Sequence, residues 1–271
     1  MNLHLLQTGT VEIKRAQKQG KGSARLLNIF LDKEWTPPLP MYAWSIEHAE
    51  GVIVVDTGMS ARYRERGYFR AWQPYYRNVR FHIEPQDEIN AQLQNIGIQP
   101  DDVRTVILTH LHSDHACGIE HFPKSEIWIH PNEYAAAQGF GGQVNGYLPQ
   151  HFPAWLKPKP IVFAPEKFGA FDSSFRVTQA GDVIVVPTYG HTRAHVSVIV
   201  KTDDVHYFLA GDTSYSQDLL RAKKVDGVSP NAAQSLHTME TILEFARVTP
   251  TIYLPAHDPD NPRRLAARAT L

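Results

Sequence analysis

The sequence predicts a single domain of mixed α and β structure, and three observations carry that expectation. The chain has 271 residues, more than an ordinary domain and fewer than two full ones. Its composition, 42% hydrophobic and 20% charged, suits a globular chain with a sizeable core. Its apolar stretches are mostly short, β-branched runs, several of which stop just before a histidine or an aspartate. No repeat and no linker divides the chain, so 1–271 reads as one domain.

Several function classes are disfavoured at the outset. The formal net charge is −1, and no long basic run appears, so no nucleic-acid partner is expected. The arginines near the end (Arg263, Arg264, Arg268) read as a solvated helix face. There is one cysteine, Cys117, which excludes an intrachain disulfide and is compatible with a reducing compartment. The first residues lack the charged start and apolar core of a signal peptide. No apolar run reaches the roughly 18 residues needed to span a bilayer. A cytoplasmic protein without a membrane partner is therefore expected, with a homodimer left open.

Taken in order, 2–8 and 10–13 read as short strands, and 20–23 as a turn. Residues 41–47 and 52–55 read as a hairpin around the turn 48–51, ending in Asp56-Thr57-Gly58. Asp56 fits either a turn cap or a residue supporting a metal ligand. Residues 59–82 are rich in arginine and aromatics without a clean period, and read as a surface excursion or as a lid over an apolar pocket. Ile89, Leu93 and Ile96 recur at helical spacing, with Gly97 as the stop, predicting a helix over 86–96. Residues 103–108 are a buried strand, 126–130 another, and Pro131 opens a helix. Residues 138–160 form a second irregular region whose aromatics argue against disorder and suggest a pocket wall. The stretches 175–179, 183–186, 195–200 and 205–210 read as strands, 231–246 as a helix and 251–254 as a last strand.

The chemistry concentrates at His110-Leu111-His112-Ser113-Asp114-His115. Three histidines and an aspartate within six positions, directly after a buried strand, have the density of a metal site. His191, Asp212 and His257 each follow an apolar strand and a small residue, which lets the backbone turn and bring a ligand to a shared edge. Together these are five histidines and two aspartates, more than one metal needs. Imidazole and carboxylate donors suit Zn, Fe, Mn or Co, and a single cysteine argues against a thiolate site. Two ions with a bridging carboxylate fit the number of donors; such a pair can hold a hydroxide nucleophile and polarise a carbonyl or phosphoryl oxygen.

These residues resemble the metallo-β-lactamase superfamily: H-x-H-x-D-H at 110–115, then His191, Asp212 and His257. Within it the chain is most similar to the N-acyl-homoserine lactone lactonases, the quorum-quenching enzymes. The resemblance implies an α+β fold, a four-layer αββα sandwich with the site at one edge of two sheets. It assigns His110, His112 and His191 to one metal, Asp114, His115 and His257 to the other, and Asp212 to both. It implies two divalent ions, zinc first among the candidates. Asp56 matches the superfamily's first motif. In the lactonases a tyrosine stands three residues after the bridging aspartate and faces the substrate carbonyl, and Tyr215 matches it. Its phenol O–H is a neutral donor that can stabilise an oxyanion without competing as a ligand; otherwise it is a packed aromatic at a helix start.

The expected reaction is hydrolysis of the lactone ring by a metal-held hydroxide. Asp114 would pass a proton to the leaving alkoxide, and the aromatic segments would hold the acyl chain. Other hydrolases of the superfamily use the same donors: glyoxalase II-like thioesterases, β-lactamases and phosphotriesterases. A glyoxalase II-like enzyme should carry a basic patch for a glutathione-type anion, and none can be picked out. A non-catalytic scaffold should have lost ligands, and all seven are present.

Overall fold

The structure, a computed structural model, describes residues 1–271. The chain forms two compact units, Met1–Ile13 with Pro37–Pro160, and Lys14–Thr36 with Ile161–Leu271. Each is built on one sheet with helices, an α+β organisation as the sequence predicts.

The first unit carries seven strands: β1 (Asn2–Ile13), β2 (Leu39–Glu47), β3 (Val52–Val55), β4 (Val79–His82), β5 (Val103–Ile107), β6 (Glu126–Ile129) and β7 (Lys159–Pro160). Their order is β4-β1-β2-β3-β5-β6-β7. Every residue of β2 except Glu47 is buried, which is why its sequence does not alternate. The two strands expected over 2–13 are one strand, whose register shifts between Gln7 and Thr10 at Gly9. Pairing turns parallel at β3–β5 and stays so through β6 and β7. Asp56, after β3, and the histidine cluster, after β5, therefore leave the sheet at the same edge. Val54, Val106, Leu108 and Ile127 form the core with Ile89, Leu93 and Phe122. The α-helix is Ile89–Asn95, shorter than expected, because Pro85–Asp87 is a 3-10 turn in which the Asp87 carboxylate accepts from the Glu84 N–H at 2.9 Å. Gly97 ends it with φ +81°.

The second unit carries β8 (Phe175–Arg176), β9 (Val183–Pro187), β10 (Val196–Lys201), β11 (His206–Gly211) and β12 (Thr251–Pro255), in the order β12-β11-β10-β9-β8. The strand expected over 175–179 stops at Arg176. Thr178 Oγ1 accepts from the N–H groups of Asp182 and Val183 at 3.3 and 3.2 Å, turning the chain early. β9 and β11 each run antiparallel to β10, and β12 runs parallel to β11. The C-terminal ends of β9, β11 and β12 thus share one edge, where His191, Asp212 and His257 follow. The helix Ala232–Val248, opened by Asn231 Oδ1 accepting from Gln234 N–H, covers the sheet with Met239, Ile242 and Phe245.

Some elements depart from the sequence reading. The excursion 59–82 ends in β4, which pairs with β1. The region 138–160 contains a short helix, Gly139–Val144. Arg264 is not solvated: its guanidinium is buried, donating to Asp258 Oδ2 at 2.9 Å and to the Tyr253 carbonyl at 3.2 Å. A carbonyl of the last strand and a carboxylate just after it hold this cation where periodicity alone placed it outside. No helix is long and apolar enough to cross a membrane.

The loop after β3 is pressed against the histidine loop. Thr57 N–H and Oγ1 both donate to the His115 carbonyl, at 2.7 and 2.9 Å, and Cys117 N–H donates to Gly58 O at 3.0 Å. A Cβ on Gly118 would lie 2.2 Å from the Thr57 carbonyl oxygen, so one backbone must move. Gly118→Ala is expected to lower stability by about 1–3 kcal/mol, read as a fall in the denaturant midpoint at constant slope. An unchanged midpoint would show that this approach is not tight.

Candidate metal centre

In the first unit the site begins with Asp56, a buried residue held at φ +61°. Such a backbone is disfavoured outside glycine and persists only where the surroundings over-determine it. Here Asp56 N–H donates to Ile107 O at 2.9 Å. Its carboxylate accepts from Thr109 N–H at 2.8 Å, from Thr109 Oγ1 at 2.8 and 3.0 Å, and from His115 Nδ1 at 2.9 Å. A carboxylate can only accept, so His115 carries its proton on Nδ1, and the lone pair of the neutral ring is on Nε2. The same argument passes through Thr109. Its hydroxyl proton goes to Asp56, so its oxygen accepts from His110 Nδ1 at 3.1 Å, and His110 also presents Nε2.

The ring nitrogens then converge in pairs. His110 Nε2 lies 3.0 Å from His112 Nδ1, and His115 Nε2 lies 3.9 Å from Asp114 Oδ2. His112 stands just before the one-turn helix Ser113–Ala116, and its carbonyl accepts from His115 and Ala116 N–H. Behind the loop, buried Glu133 accepts from Leu111 N–H at 3.1 Å and from the Tyr147 hydroxyl at 3.0 Å, while the Tyr147 ring lies 5.0 Å from that of His112.

In the second unit, His191 Nδ1 lies 3.0 Å from Asp226 Oδ2, which fixes the proton on Nδ1 by the same logic. The Asp212 carboxylate is shared between two imidazoles. Oδ2 lies 3.4 Å from His191 Nε2, and Oδ1 lies 3.3 Å from His257 Nε2. Asp212 N–H donates to His195 Nε2 at 3.0 Å, and His195 Nδ1 meets Thr188 Oγ1 at 2.9 Å. Tyr215 stacks on His257 at 5.3 Å and meets His191 edge-on at 6.4 Å.

The first unit thus brings together His110, His112, Asp114 and His115, and the second brings together His191, Asp212, His257 and Tyr215. Each of the seven His and Asp residues is a candidate metal ligand. The donor chemistry fits a divalent ion: oxygen and nitrogen donors, with two buried imidazoles backed by carboxylates as ligating histidines characteristically are. Sequence reasoning did not single out Asp226, Glu133, His195 or Gln17, none of which lies in a local pattern. The two aromatic segments pair with each other in the first unit. Tyr68 stacks on His151 at 3.9 Å and Trp72 on Phe140 at 4.9 Å, and Tyr76 donates to Gly146 O at 2.8 Å. Burial holds the Tyr76 phenol well above its ordinary pKa, so it is a donor at any working pH.

Comparison with known proteins points one way. A family model described as the metallo-beta-lactamase superfamily matches residues 36–257. The N-acyl homoserine lactonase AttM of Agrobacterium fabrum is 25% identical over 269 residues, 96% of this chain and 94% of that one. An N-acyl homoserine lactonase of Bacillus cereus is 28% identical over 186 residues, 66% of each chain. Among solved structures, an N-acyl homoserine lactone hydrolase with N-hexanoyl-L-homoserine bound at its catalytic metal center superposes with a TM-score of 0.77 at 22% identity, covering 96% of this chain and 94% of that chain. At that identity the likeness is one of fold.

Losing the carboxylate behind a candidate imidazole ligand should weaken metal binding without unfolding the chain. Asp56→Asn and Asp226→Asn are each expected to lower divalent-metal affinity about 10–100-fold in a chelator competition. Wild-type affinity in both variants would mean that these carboxylates do not tune the ligands.

Proposed function

The chain belongs to the metallo-beta-lactamase superfamily, and from that premise we propose that it is a metal-dependent hydrolase opening the lactone ring of N-acyl homoserine lactones, a quorum-quenching reaction. The observation that carries the lactonase reading is the placement of Tyr215 against both His191 and His257. The near full-length similarity to a lactonase supports it.

The proposed centre would hold two divalent ions. His110, His112 and His191 would hold one, Asp114, His115 and His257 would hold the other, and Asp212 would serve both. The support for a bridging Asp212 is its one oxygen toward each of His191 and His257. Zinc is the proposed metal on donor type, with iron, cobalt and manganese able to use the same set. When bound, such a pair supplies an activated water and polarises the ester carbonyl.

The chain's own residues do the remaining work. The Tyr215 O–H donates a hydrogen bond to the lactone carbonyl oxygen, where negative charge develops during attack. Its ring, packed on two imidazoles and 3% exposed, stays in place while the substrate changes. Asp114 carries a proton to the leaving alkoxide. Its side chain is 19% exposed where that of His115 is 1%, so it can exchange protons with solvent. The acyl chain lies along the exposed Trp72 and Phe140 rings, each buried CH₂ contributing about 0.8 kcal/mol. The proposed location is the cytoplasm, with which the lone Cys117 is compatible.

The test is a panel of short- and long-chain homoserine lactones set beside a thioester, a β-lactam and a phosphotriester. Lactones are expected to give the highest kcat/KM; a higher value for another class would replace the substrate assignment and leave the superfamily intact. Tyr215→Phe is expected to lower kcat on the order of 10²-fold, as for loss of one oxyanion donor, with metal content unchanged. Wild-type turnover would remove Tyr215 from the chemistry.

A further inference from the structure

The Tyr215 phenol has a buried partner 198 positions away in the chain: Gln17 Nε2 lies 3.2 Å from its oxygen. Gln17 is 3% exposed and belongs to the one-turn helix Arg15–Lys18 in the second unit. Its backbone is tied to a segment that also supports the metal site. Gly227 N–H donates to Gln17 O at 2.7 Å, and Gly20 N–H donates to Val225 O at 2.9 Å. A Cβ on Gly227 would lie 2.2 Å from the Ala16 carbonyl oxygen, so the two segments approach this closely only with glycine there. Between those ties sits Asp226, whose Oδ2 meets His191 Nδ1 at 3.0 Å and whose Oδ1 accepts from Val228 and Ser229 N–H at 2.8 and 2.7 Å. One piece of backbone thus aims His191 through Asp226 and reaches Tyr215 through Gln17.

We propose that Gln17 is a positioning residue for Tyr215, setting the direction of its O–H bond. This rests on the role given to Tyr215 above. A phenol has one proton and can rotate it toward whichever acceptor is near. Ring packing on His257 and His191 fixes the plane of the ring but not that rotation. An amide N–H donated to the phenol oxygen occupies a lone pair, so the O–H points away from the donating N–H. The O–H is then directed at the substrate carbonyl before the substrate arrives, and a donor on its oxygen polarises it further. An acceptor at position 17 would do the reverse and draw the proton away from the site.

The experiment compares Gln17→Leu, the near-isosteric Gln17→Glu, Tyr215→Phe and the double variant Gln17→Leu/Tyr215→Phe. Gln17→Leu is expected to lower kcat on the order of tenfold, the scale of one coupled hydrogen bond, with KM and metal content little changed. Gln17→Glu is expected to lower kcat at least as far above the pH at which that carboxyl ionises, because an ionised carboxylate only accepts. The double variant is expected to be no slower than Tyr215→Phe alone. In metal-free protein, the Tyr215 ¹³Cζ resonance, identified by its loss in Tyr215→Phe, is expected to move in Gln17→Leu. Wild-type kcat in Gln17→Glu, losses that multiply in the double variant, or an unmoved resonance overturn the positioning role while leaving Tyr215 in the chemistry. Wild-type turnover in Tyr215→Phe overturns the underlying role and this one with it.

Discussion

Two buried carboxylates decide which nitrogen of two buried imidazoles carries the proton, and the candidate site follows from that constraint. Asp56 does this for His115 and Asp226 for His191, at 2.9 and 3.0 Å. An ionised carboxylate in an apolar interior costs several kcal/mol unless donors surround it. Both are saturated locally, Asp56 by Thr109 and Asp226 by the N–H and hydroxyl groups of the turn that follows it. Those donors hold the carboxylate in place whatever the state of the histidine. The Nε2 lone pairs are therefore aimed by parts of the chain that are not themselves ligands, and the strained backbone of Asp56 is maintained by the same bonds.

The sheets supply the coarser positioning. Parallel neighbours point their C-terminal ends the same way, so β3 with β5, and β9, β11 and β12 together, deliver their following residues to shared edges. Side chains scattered from position 56 to position 257 need no long loops to meet their partners within each unit. The candidate ligands then sit on short turns anchored to buried strands, and the glycines at 118 and 227 let neighbouring segments close to backbone contact. The aromatic excursions lie outside this frame. They hold one another by ring stacking, which leaves Trp72 and Phe140 on the surface.

The candidate ligand set was legible in the sequence because it is local or repeated in form. His110 to His115 lie within six positions, and the other three candidates each follow an apolar strand and a small residue. Of the supports behind them, Asp56 was legible as a candidate because it ends an apolar strand; the others were not, for one physical reason: each is a single polar residue whose partner is distant. Asp226 meets His191 across 35 positions, Glu133 meets Leu111 across 22 and Gln17 meets Tyr215 across 198. The same holds for the fold. β2 and β5 announce themselves as apolar runs, whereas β4 is a four-residue edge strand that exists because β1 is there to pair with it. Arg264 reads as a surface residue until Asp258 and the Tyr253 carbonyl are seen beneath it.

The central claim is that carboxylate-held imidazoles aim Nε2 at a two-metal centre. Anomalous diffraction from crystals of the zinc-reconstituted protein tests it most directly. The expected map has two peaks about 3.5–4 Å apart, with His115 and His191 bound through Nε2, one to each ion, and Asp212 touching both. A single peak, or coordination of either histidine through Nδ1, would contradict it.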